Sequence, residues 1–323
     1  MPNIKIIGAG IAGAVAAGYF SSSSPTIYES SNPEGSKLNK HKAVMRIRDP
    51  RIGMILGADM KEVDVYKQCL FNKKLYWESD IRMRNLYSKK INDCIAAGSI
   101  SDLGKVKRYL LMNFEISNVV YGASVTKFEK DSRRFFFEKS FEPKSSAESC
   151  AVDYDFCIST IPVFKLLEMV DIDTAENFSW KDIYVTRIEV PIKSEVHQTI
   201  YVPEESYCCY RVTLEGQKMI FESINSAPSK EEIEELSSYF GIEEVGDLQK
   251  KQYIQKMGKI FPINDDARRA IILTLTEKYG IYSLGRFSVW KKLRVDDLIP
   301  DLDRIRKMME ISDTRRKYES KFN

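Results

Sequence analysis

The beginning of the chain carries two short apolar runs separated by small residues. Ile4–Ile7 is rich in β-branched residues, which is typical of a buried parallel strand. Small and apolar residues at positions 14–20 predict a helix with a small-residue face. Residues 25–28 (PTIY) predict a second strand, which ends at Glu29. The pattern predicts a strand–helix–strand unit at the start of the chain.

Further along, two segments read as strands that extend this unit. Residues 119–128 predict a strand with a break at Gly122, and residues 134–138 follow as the second arm of a β-meander hairpin. Residues 154–162 predict a strand that ends in a small polar turn, and residues 163–170 predict the helix after it. These segments are expected to pack against the strand–helix–strand unit at the start of the chain and to belong to the same domain.

The segment between the first unit and the hairpin has a different pattern. Residues 50–112 are predicted to be mostly helical, with candidate helices at 64–70 and 86–97. Residues 74–77 are more typical of a strand or a turn. This segment is expected to be an insertion into the first domain.

A second insertion is predicted after the helix at 163–170. Residues 179–203 and 207–223 alternate apolar and polar side chains, which predicts antiparallel strands. Residues 229–240 predict a helix, with Ser229 as its N-cap and Glu232 at the capping-box position. The two insertions together are expected to form a sheet with helices.

Composition excludes several classes of protein. The chain has 323 residues with a net charge of +3, and 43% of its residues are hydrophobic, so it is expected to fold rather than to be disordered. Because positive and negative charges nearly balance, nucleic-acid binding is not favoured. Nucleic-acid binding stays an alternative, because basic residues that could contact phosphates are dispersed along the chain. They are Arg46, Arg48, Arg51, Arg82, Arg84, Lys89 and Lys90.

Histidine and cysteine usage argues against a metal centre. The two histidines are His41 and His197, and the chain has no C-x-x-C motif, so no metal site is predicted. The six scattered cysteines are expected to be reduced thiols in a cytoplasmic protein, with the adjacent pair Cys208 and Cys209 in a structural role. The uncharged stretch at 6–20 is shorter than the ~20 residues of a membrane span, so no membrane association is expected.

A glycine-rich turn links the first predicted strand to its helix. It has the form G-x-G-x-x-G, in which Gly8 permits a tight turn and Gly10 allows a pyrophosphate to approach the backbone. Gly13 allows the helix to pack closely on the strand, and the helix amino terminus favours phosphate. Glu29 follows Gly8 by 21 residues and is placed to accept hydrogen bonds from a ribose. Together these features predict a dinucleotide site.

The segment after Glu29 indicates which dinucleotide is bound. Residues 30–40 are polar and rich in turn residues, whereas an NAD domain would continue with regular strand–helix alternation. That departure favours a flavoprotein, in which the first unit binds the ADP half of FAD. An NAD(P)-dependent dehydrogenase stays as an alternative.

The end of the chain resembles the corresponding part of a known protein family. Residues 279–290 read as a strand, then Gly285-Arg286, then an aromatic turn, and a helix begins near Val295. Together with the segments at 119–128 and 158–162 (ISTIP), this order resembles the FAD-dependent amine oxidases and UDP-galactopyranose mutases. In that superfamily the closing helix points its amino terminus at the isoalloxazine ring. The Gly-Gly that usually follows the ribose-binding acid is missing here, where residues 30–35 read SSNPEG.

The resemblance implies a fold and a set of cofactor contacts. The expected fold is α/β, a Rossmann-like FAD-binding domain with a parallel sheet and a β-meander, into which an α+β substrate domain is inserted. The FAD-binding domain is expected over residues 1–50, 112–170 and 275–323, and the substrate or cap domain over 51–111 and 171–274. The expected FAD contacts come from all three pieces of the cofactor domain. They are Gly8, Ala9, Gly10, Ile11, Ala12, Gly13, Glu29, Ser30, Arg46, Val125, Thr160, Gly285, Arg286, Val295 and Asp296.

The resemblance also implies a reaction. We expect an FAD-dependent oxidoreductase that oxidises a C–N bond of an amine-bearing small molecule or modified nucleoside by hydride transfer to flavin N5. The missing Gly-Gly and the small size of the chain favour this over a mutase of the UDP-galactopyranose type. The mutase and a non-catalytic dinucleotide-binding protein stay as alternatives.

Two residues are candidates for substrate chemistry. Lys259 is assigned by resemblance, because a lysine near flavin N5 is common in amine oxidases. Arg211 lies on a predicted strand, where alternation places it on the face of Cys209, with Tyr210 and Val212 on the other face. An arginine there would bind an anionic group of the substrate. The expected partner is therefore a small molecule that is anionic or amine-bearing.

Overall fold

The computed structural model describes residues 1–33, 46–77, 95, 103–139, 149–243 and 250–319. The chain forms two compact units. Unit 1 contains Met1–Met60, Leu111–Phe178 and Pro262–Asn323, and unit 2 contains Lys61–Leu110 and Ser179–Phe261. The predicted helix at 86–97 lies outside the described residues except for Ile95. No helix within the described ranges has the length and apolar character needed to cross a membrane.

A parallel sheet forms the centre of unit 1. Its strands are β1 (Ile4–Ile7), β2 (Thr26–Glu29), β7 (Val119–Tyr121), β11 (Phe156–Ser159) and β15 (Ile281–Ser283). They lie in the order β15-β11-β1-β2-β7, and every neighbouring pair is parallel. The sheet is buried on both faces: Ile6 and Ile158 on one face are fully inaccessible to solvent, and Ile7 and Cys157 on the other face are at most 3% exposed. The strands predicted at both ends and in the middle of the chain are confirmed.

An antiparallel meander forms the second sheet of unit 1. It consists of β8 (Ala123–Glu129), β9 (Arg134–Lys139) and β10 (Cys150–Asp153) in the order β10-β9-β8. Gly122 separates β7 from β8 with a φ of +72°, a left-handed conformation that favours glycine. The predicted strand break and the β-meander are therefore confirmed.

Helices and turns complete unit 1. The helices are α1 (Ile11–Tyr19), α2 (Arg51–Leu56), α3 (Val163–Met169), α5 (Asp265–Tyr279), α6 (Gly285–Ser288) and α7 (Leu298–Glu319). Two 3₁₀ turns lie at Ser21–Ser23 and Val295–Asp297, and the short strand β3 lies at Arg46–Ile47. The α/β class predicted from the sequence is confirmed.

Unit 1 extends further along the chain than the predicted cofactor domain. Its pieces reach residue 60 instead of 50 and residue 178 instead of 170, and the last begins at 262 instead of 275. Helix α2 belongs to it because Gly18 of α1 approaches the Ile55 backbone so closely that a Cβ would lie 2.2 Å from the Ile55 carbonyl oxygen. Helix α5 belongs to it because it leads directly into β15.

Unit 2 is built around one long strand. Its strands are β4 (Met60–Phe71), β5 (Lys74–Tyr76), β6 (Gly104–Leu111), β12 (Ser179–Tyr201), β13 (Cys209–Ile224) and β14 (Lys250–Phe261). Strand β12 pairs with β13 along its length, with β14 near its start and with β4 near its end. Helix α4 (Lys230–Ser238) packs Ile233 and Leu236 against the apolar side of this sheet.

Strand β13 is strongly bent. Arg211 and Glu222 lie near its two ends, yet their side chains form an ion pair. A straight strand would separate residues eleven positions apart by roughly 36 Å, so the hairpin must coil back on itself. Gly216, with a φ of +58°, lies in the middle of the strand, where the register with β12 shifts. The bend gathers polar side chains that are distant in sequence.

The helix predicted at residues 64–70 is wrong. These residues lie within β4, where Val63, Val65 and Lys67 are buried at a spacing of two. Val65 to Cys69 pair in parallel with residues 197–201 of β12, so a long-range partner decides the conformation. By contrast, the strand predicted at 74–77 is confirmed as β5, and both strands predicted at 179–203 and 207–223 are confirmed as β12 and β13.

The predicted start of α4 is confirmed in part. The Ser229 hydroxyl accepts a hydrogen bond from the Glu232 amide at 3.2 Å, as an N-cap does. The Glu232 carboxylate does not complete the box, because it accepts instead from the backbone amides of Cys208 and Cys209. Glu232 therefore holds the backbone at the start of β13 instead of capping its own helix.

Candidate cofactor site

The glycine turn between β1 and α1 has the geometry that its sequence predicts. The Gly8 amide donates to the Tyr28 carbonyl at 2.8 Å, and Gly8 has a φ of +100°. A Cβ on Gly13 would lie only 2.0 Å from the Gly8 carbonyl oxygen. A side chain is therefore excluded at Gly13 by the backbone of the turn itself, which confirms the close helix–strand packing expected of this position.

Gly10 lacks a side chain for a different reason. It is the N-cap of α1 with a φ of −74°, a value that any residue adopts. A Cβ built there would meet nothing within 4 Å among the described residues. The protein fold therefore does not require glycine at this position, whereas a ligand close to the backbone would. Because the first turn of a helix has free amide groups, the space beside Gly10 fits a phosphate group.

Glu29 fixes the turn from the end of β2. One carboxylate oxygen, Oε2, accepts a hydrogen bond from the Ala9 amide at 2.8 Å. The other, Oε1, accepts from the amide and the hydroxyl of Ser31 at 2.9 and 2.7 Å. Ser30 is exposed, and its hydroxyl lies 3.4 Å from the same oxygen. The predicted ribose-binding acid thus lies directly against the glycine turn.

We expect the change Glu29→Gln to loosen this turn. A glutamine has one oxygen and one NH₂ group, so its NH₂ must face either the Ala9 amide or the Ser31 amide, both of which are donors. The unmatched pair should cost about 1–2 kcal/mol of unfolding free energy. Denaturant unfolding measures this loss, and dialysis measures whether bound nucleotide is retained. Glu168→Gln, the same change at an exposed acid of α3, is the control and should match the wild type. Equal stability of Glu29→Gln and the wild type would contradict the role of Glu29.

Thr160 joins the middle of the chain to the same turn. Its hydroxyl donates to the carbonyls of Ile7 and Gly8, at 2.9 and 3.1 Å, and its amide also donates to Ile7. A Cβ on Gly8 would lie 2.6 Å from the Thr160 hydroxyl oxygen. The structure confirms that residues 158–162 end beside the glycine turn, where Thr160 braces it.

The closing segment of the chain also reaches this turn. Gly285 has a φ of +79°, and a Cβ there would lie 3.0 Å from the Cβ of Ala12. The Leu284 amide donates to the Ser159 carbonyl at 2.9 Å, which anchors the segment to the sheet. Arg286 follows with its guanidinium 4.5 Å from the centre of the Phe287 ring. Three segments that are distant in sequence therefore meet at the edge of the parallel sheet that is formed by the carboxyl ends of its strands.

The structure assigns Asp296 a role that the sequence did not predict. Its Oδ1 accepts hydrogen bonds from the amides of Arg48 and Asp49, at 2.8 and 3.0 Å. The Asp296 carboxylate therefore fastens the closing segment to the chain that leaves β3. Val295, in the same 3₁₀ turn, is half-buried. No sequence signal links Asp296 to residues about 250 positions earlier.

The remaining predicted cofactor residues also lie in unit 1. Val125 is buried in β8, where a register shift follows it, and Arg46 is half-buried in β3. Ile11 and Ala12 are half-buried in the first turn of α1. Their contacts with a cofactor stay predictions. Of the basic residues considered for nucleic acid, Arg51 pairs with Asp49, and the four at positions 82–90 lie outside the described residues.

Two buried hydroxyl groups lie near the edge where the three segments meet. Ser159 ends β11, Ser288 ends α6, and both residues are fully buried. Within the described part of the chain, neither hydroxyl oxygen has a hydrogen-bond partner. Because a buried hydroxyl without a partner costs free energy, these groups are consistent with a polar ligand at this edge.

Unit 2 contains both predicted catalytic residues, in one polar cluster. Arg211 donates through Nε to Glu222, and the Tyr210 hydroxyl donates to the same carboxylate at 3.2 Å. The Lys259 ammonium lies 4.5 Å from the centre of the Tyr210 ring. Tyr253 and Arg187 interact at the same place. The structure thus brings Arg211 and Lys259 together around Glu222, a residue that the sequence did not single out.

The electrostatics of this cluster keep Glu222 ionised. Burial alone would raise the pKa of Glu222, but the charges of Arg211 and Lys259 and the hydrogen bonds from Arg211 and Tyr210 outweigh it and lower the pKa below its usual value. The Glu222 side chain is 12% exposed, whereas that of Arg211 is 37% exposed. Arg211 therefore bonds to Glu222 through Nε, while part of its side chain remains exposed to solvent.

The predicted arrangement of faces at the start of β13 is wrong. Alternation placed Cys209 with Arg211 and Tyr210 with Val212. In the structure Cys209 and Val212 belong to the same apolar cluster, while Tyr210 and Arg211 both bond to Glu222.

Comparison with known proteins supports the fold. No protein-family model matches the chain, and no curated protein matches it in sequence. Among solved structures, a reduced UDP-galactopyranose mutase superposes with a TM-score of 0.64 and 15% identity, covering 96% of each chain. Cyclohexylamine oxidase from Brevibacterium oxydans IH-35A gives 0.60 and 9% identity, covering 97% of this chain and 99% of that one.

A third structure shows a bound cofactor. It is the glycerol-3-phosphate dehydrogenase from Bacillus halodurans complexed with FAD, with a TM-score of 0.55, 9% identity and coverage of 97% of this chain and 65% of that one. The mutase comparison also corrects one expectation, because a chain covered over 96% of its length removes small size as a reason against a mutase. The chain has the fold of the FAD-dependent amine-oxidase and galactopyranose-mutase flavoproteins, as the sequence predicted.

Proposed function

We propose that the chain binds FAD and is an FAD-dependent oxidoreductase that acts on a small, amino-acid-like molecule. The observation that carries this proposal is that Thr160 and Gly285 both reach the glycine turn, where Thr160 bonds to Gly8 and Gly285 packs on Ala12. Each comes from a different piece of unit 1. A bound FAD would accept two electrons from the substrate, which is the chemistry the cofactor supplies.

The residues around the turn have separate tasks in this proposal. Gly10 and the first amides of α1 hold the pyrophosphate, because the helix dipole and the open space beside Gly10 favour it. Glu29 orients the Ala9 amide and accepts from the ribose hydroxyls. Thr160 keeps Gly8 in its left-handed conformation, and Arg286 provides positive charge beside the closing turn.

The charge of the unit 2 cluster favours a substrate with an anionic group. Arg187, Arg211 and Lys259 are positive and Glu222 is negative, which gives a net charge of +2 for these four groups. A positive cluster repels a simple amine but attracts a carboxylate. An amino-acid-like substrate has a carboxylate, which a positive cluster attracts, and a C–N bond, which an FAD-dependent oxidoreductase can oxidise.

The turnover of the purified holoprotein tests this proposal. We expect oxygen consumption or peroxide formation with α-amino acids or their N-alkyl derivatives, and much less with amines of the same size that lack a carboxylate. Lys259→Met should raise KM for the anionic substrate more than it lowers kcat, if the lysine attracts the carboxylate. Preferred oxidation of amines that lack a carboxylate would contradict the substrate class.

A mutase of the UDP-galactopyranose type is the second candidate. It is favoured by the superposition on such an enzyme over 96% of both chains and by the positive cluster, which suits a diphosphate. Conversion of UDP-galactopyranose only after dithionite reduction, without oxygen consumption, would establish it. Retained FAD with neither activity would indicate a binding protein without catalysis.

A further inference from the structure

Cys208 and Cys209 form a compact group with Glu232 in unit 2, apart from the polar cluster described above. Cys209 is fully buried at the start of β13, while Cys208 and Glu232 are half-buried. The two Sγ atoms and a carboxylate oxygen of Glu232 all lie within 4.8 Å of one another. Two thiols and a carboxylate at this spacing are a set of metal-ligand atoms.

Glu232 is held in this position by specific contacts. Its Oε1 accepts from the Cys209 amide at 2.7 Å, and its Oε2 accepts from the Cys208 amide and thiol at 3.1 and 3.0 Å. The carboxylate leaves the capping-box bond that its position after Ser229 would normally make. The fold therefore directs the one acidic side chain of this group at both cysteines.

We propose that Cys208, Cys209 and Glu232 bind one zinc-like divalent cation. Zinc takes thiolate and carboxylate ligands in tetrahedral geometry, which places two sulfurs about 3.8 Å apart and a sulfur and an oxygen about 3.5 Å apart. From separations of at most 4.8 Å, no pair of ligand atoms needs to approach by more than about 1.3 Å, and Cys208 Sγ and Glu232 Oε2, now 3.0 Å apart, would separate by about 0.5 Å. The half-buried side, at Cys208 and Glu232, leaves the fourth position to water or a further ligand.

Charge and proton balance are consistent with such a site. Binding releases one proton from each thiol to solvent, so two thiolates and one carboxylate meet a +2 ion and the group carries a net charge of −1. The amino terminus of α4, which begins at Lys230, favours that negative charge. Because protons compete with the metal, affinity should fall as the pH falls. The bound ion would join β13 to α4 across the apolar cluster between them.

Cobalt binding to the full chain, kept reduced with a phosphine, tests this proposal. We expect one equivalent of Co²⁺ to produce the red ligand-field bands of a tetrahedral thiolate site, and Zn²⁺ to displace it. These bands lie outside the absorption of oxidised flavin, so the readout does not depend on the cofactor or on activity. Cys208→Ser should abolish the bands, and Glu232→Gln should weaken Zn²⁺ binding at least ~tenfold, equal to about 1.4 kcal/mol.

Matched variants separate the site from general effects. Glu231→Gln changes an exposed acid in the same helical turn, and Cys150→Ser removes a thiol of unit 1; both should bind Co²⁺ like the wild type. Zn²⁺ should also raise the unfolding midpoint of the wild type and of these controls but not of Cys208→Ser. Lack of stoichiometric binding by the reduced wild type would overturn the proposal. Unchanged binding by both Cys208→Ser and Glu232→Gln would do the same.

Discussion

The substitution Gly10→Val is expected to remove FAD from the protein while leaving the fold intact. Gly10 has an ordinary φ of −74°, and a Cβ there meets nothing within 4 Å among the described residues. The cost to the cofactor-free fold should therefore be about 1 kcal/mol, which is typical of a changed N-cap. A branched side chain would occupy the space that the pyrophosphate needs. We expect FAD affinity to fall by well over ~tenfold, more than about 1.4 kcal/mol.

A neighbouring glycine provides the contrast for this experiment. Gly13→Ala places a Cβ 2.0 Å from the Gly8 carbonyl oxygen, so it should destabilise the cofactor-free protein as well as reduce FAD content. The measurements are FAD affinity by fluorescence titration and unfolding of the cofactor-free chains in denaturant. If Gly10→Val bound FAD as tightly as the wild type, the pyrophosphate would not lie beside Gly10.

Removal of the Glu222 carboxylate is expected to have the largest effect on stability. Glu222→Leu leaves the Arg211 guanidinium in the coiled hairpin without its carboxylate and the Tyr210 hydroxyl without its acceptor. Breaking a fully buried pair costs about 3–5 kcal/mol. Because 37% of the Arg211 side chain is exposed, solvent compensates in part, and we expect a loss of about 2 kcal/mol.

A double-mutant cycle is the control for this prediction. The variant with both Arg211→Leu and Glu222→Leu should lose less stability than the sum of the two single changes, because neither charge is left alone. Additive losses would show that the two side chains do not interact.

The effect of Glu222→Leu should also depend on pH. The pKa of Glu222 is lowered in the folded state, so its contribution is fully present above the unfolded-state pKa of about 4.3. The contribution is lost as the pH falls through the lower folded-state value. The difference in stability between wild type and Glu222→Leu should therefore shrink in acid. A difference that grew below about pH 4 would contradict the lowered pKa.

The parts of the structure that depend on local chemistry could be predicted from the sequence. The glycine turn is specified by its own spacing, because Gly8 needs a left-handed φ and Gly13 has no space for a Cβ. Ser229 could likewise be predicted as an N-cap, because capping depends on residues that are close in sequence. The parallel sheet followed from apolar runs such as Ile4–Ile7, which suit a strand buried on both faces.

The parts that depend on long-range pairing could not be predicted. The sequence predicts a helix at residues 64–70 of β4, because their strand partner, β12, lies more than a hundred residues away. Glu222 meets Arg211 only because β13 bends, and Asp296 meets the amides of Arg48 and Asp49 from the other end of the chain. Glu232 was expected to complete a capping box but instead contacts two cysteines 23 and 24 residues earlier.

The visible absorption spectrum of the purified chain tests whether the converging segments of unit 1 hold FAD. Oxidised flavin has a band near ~450 nm that belongs to the cofactor. We expect this band in the purified wild type or after addition of FAD, at one equivalent per chain, and we expect it to be lost on gel filtration of Gly10→Val. A colourless chain that binds NAD(H) and gains no such band with FAD would contradict the claim.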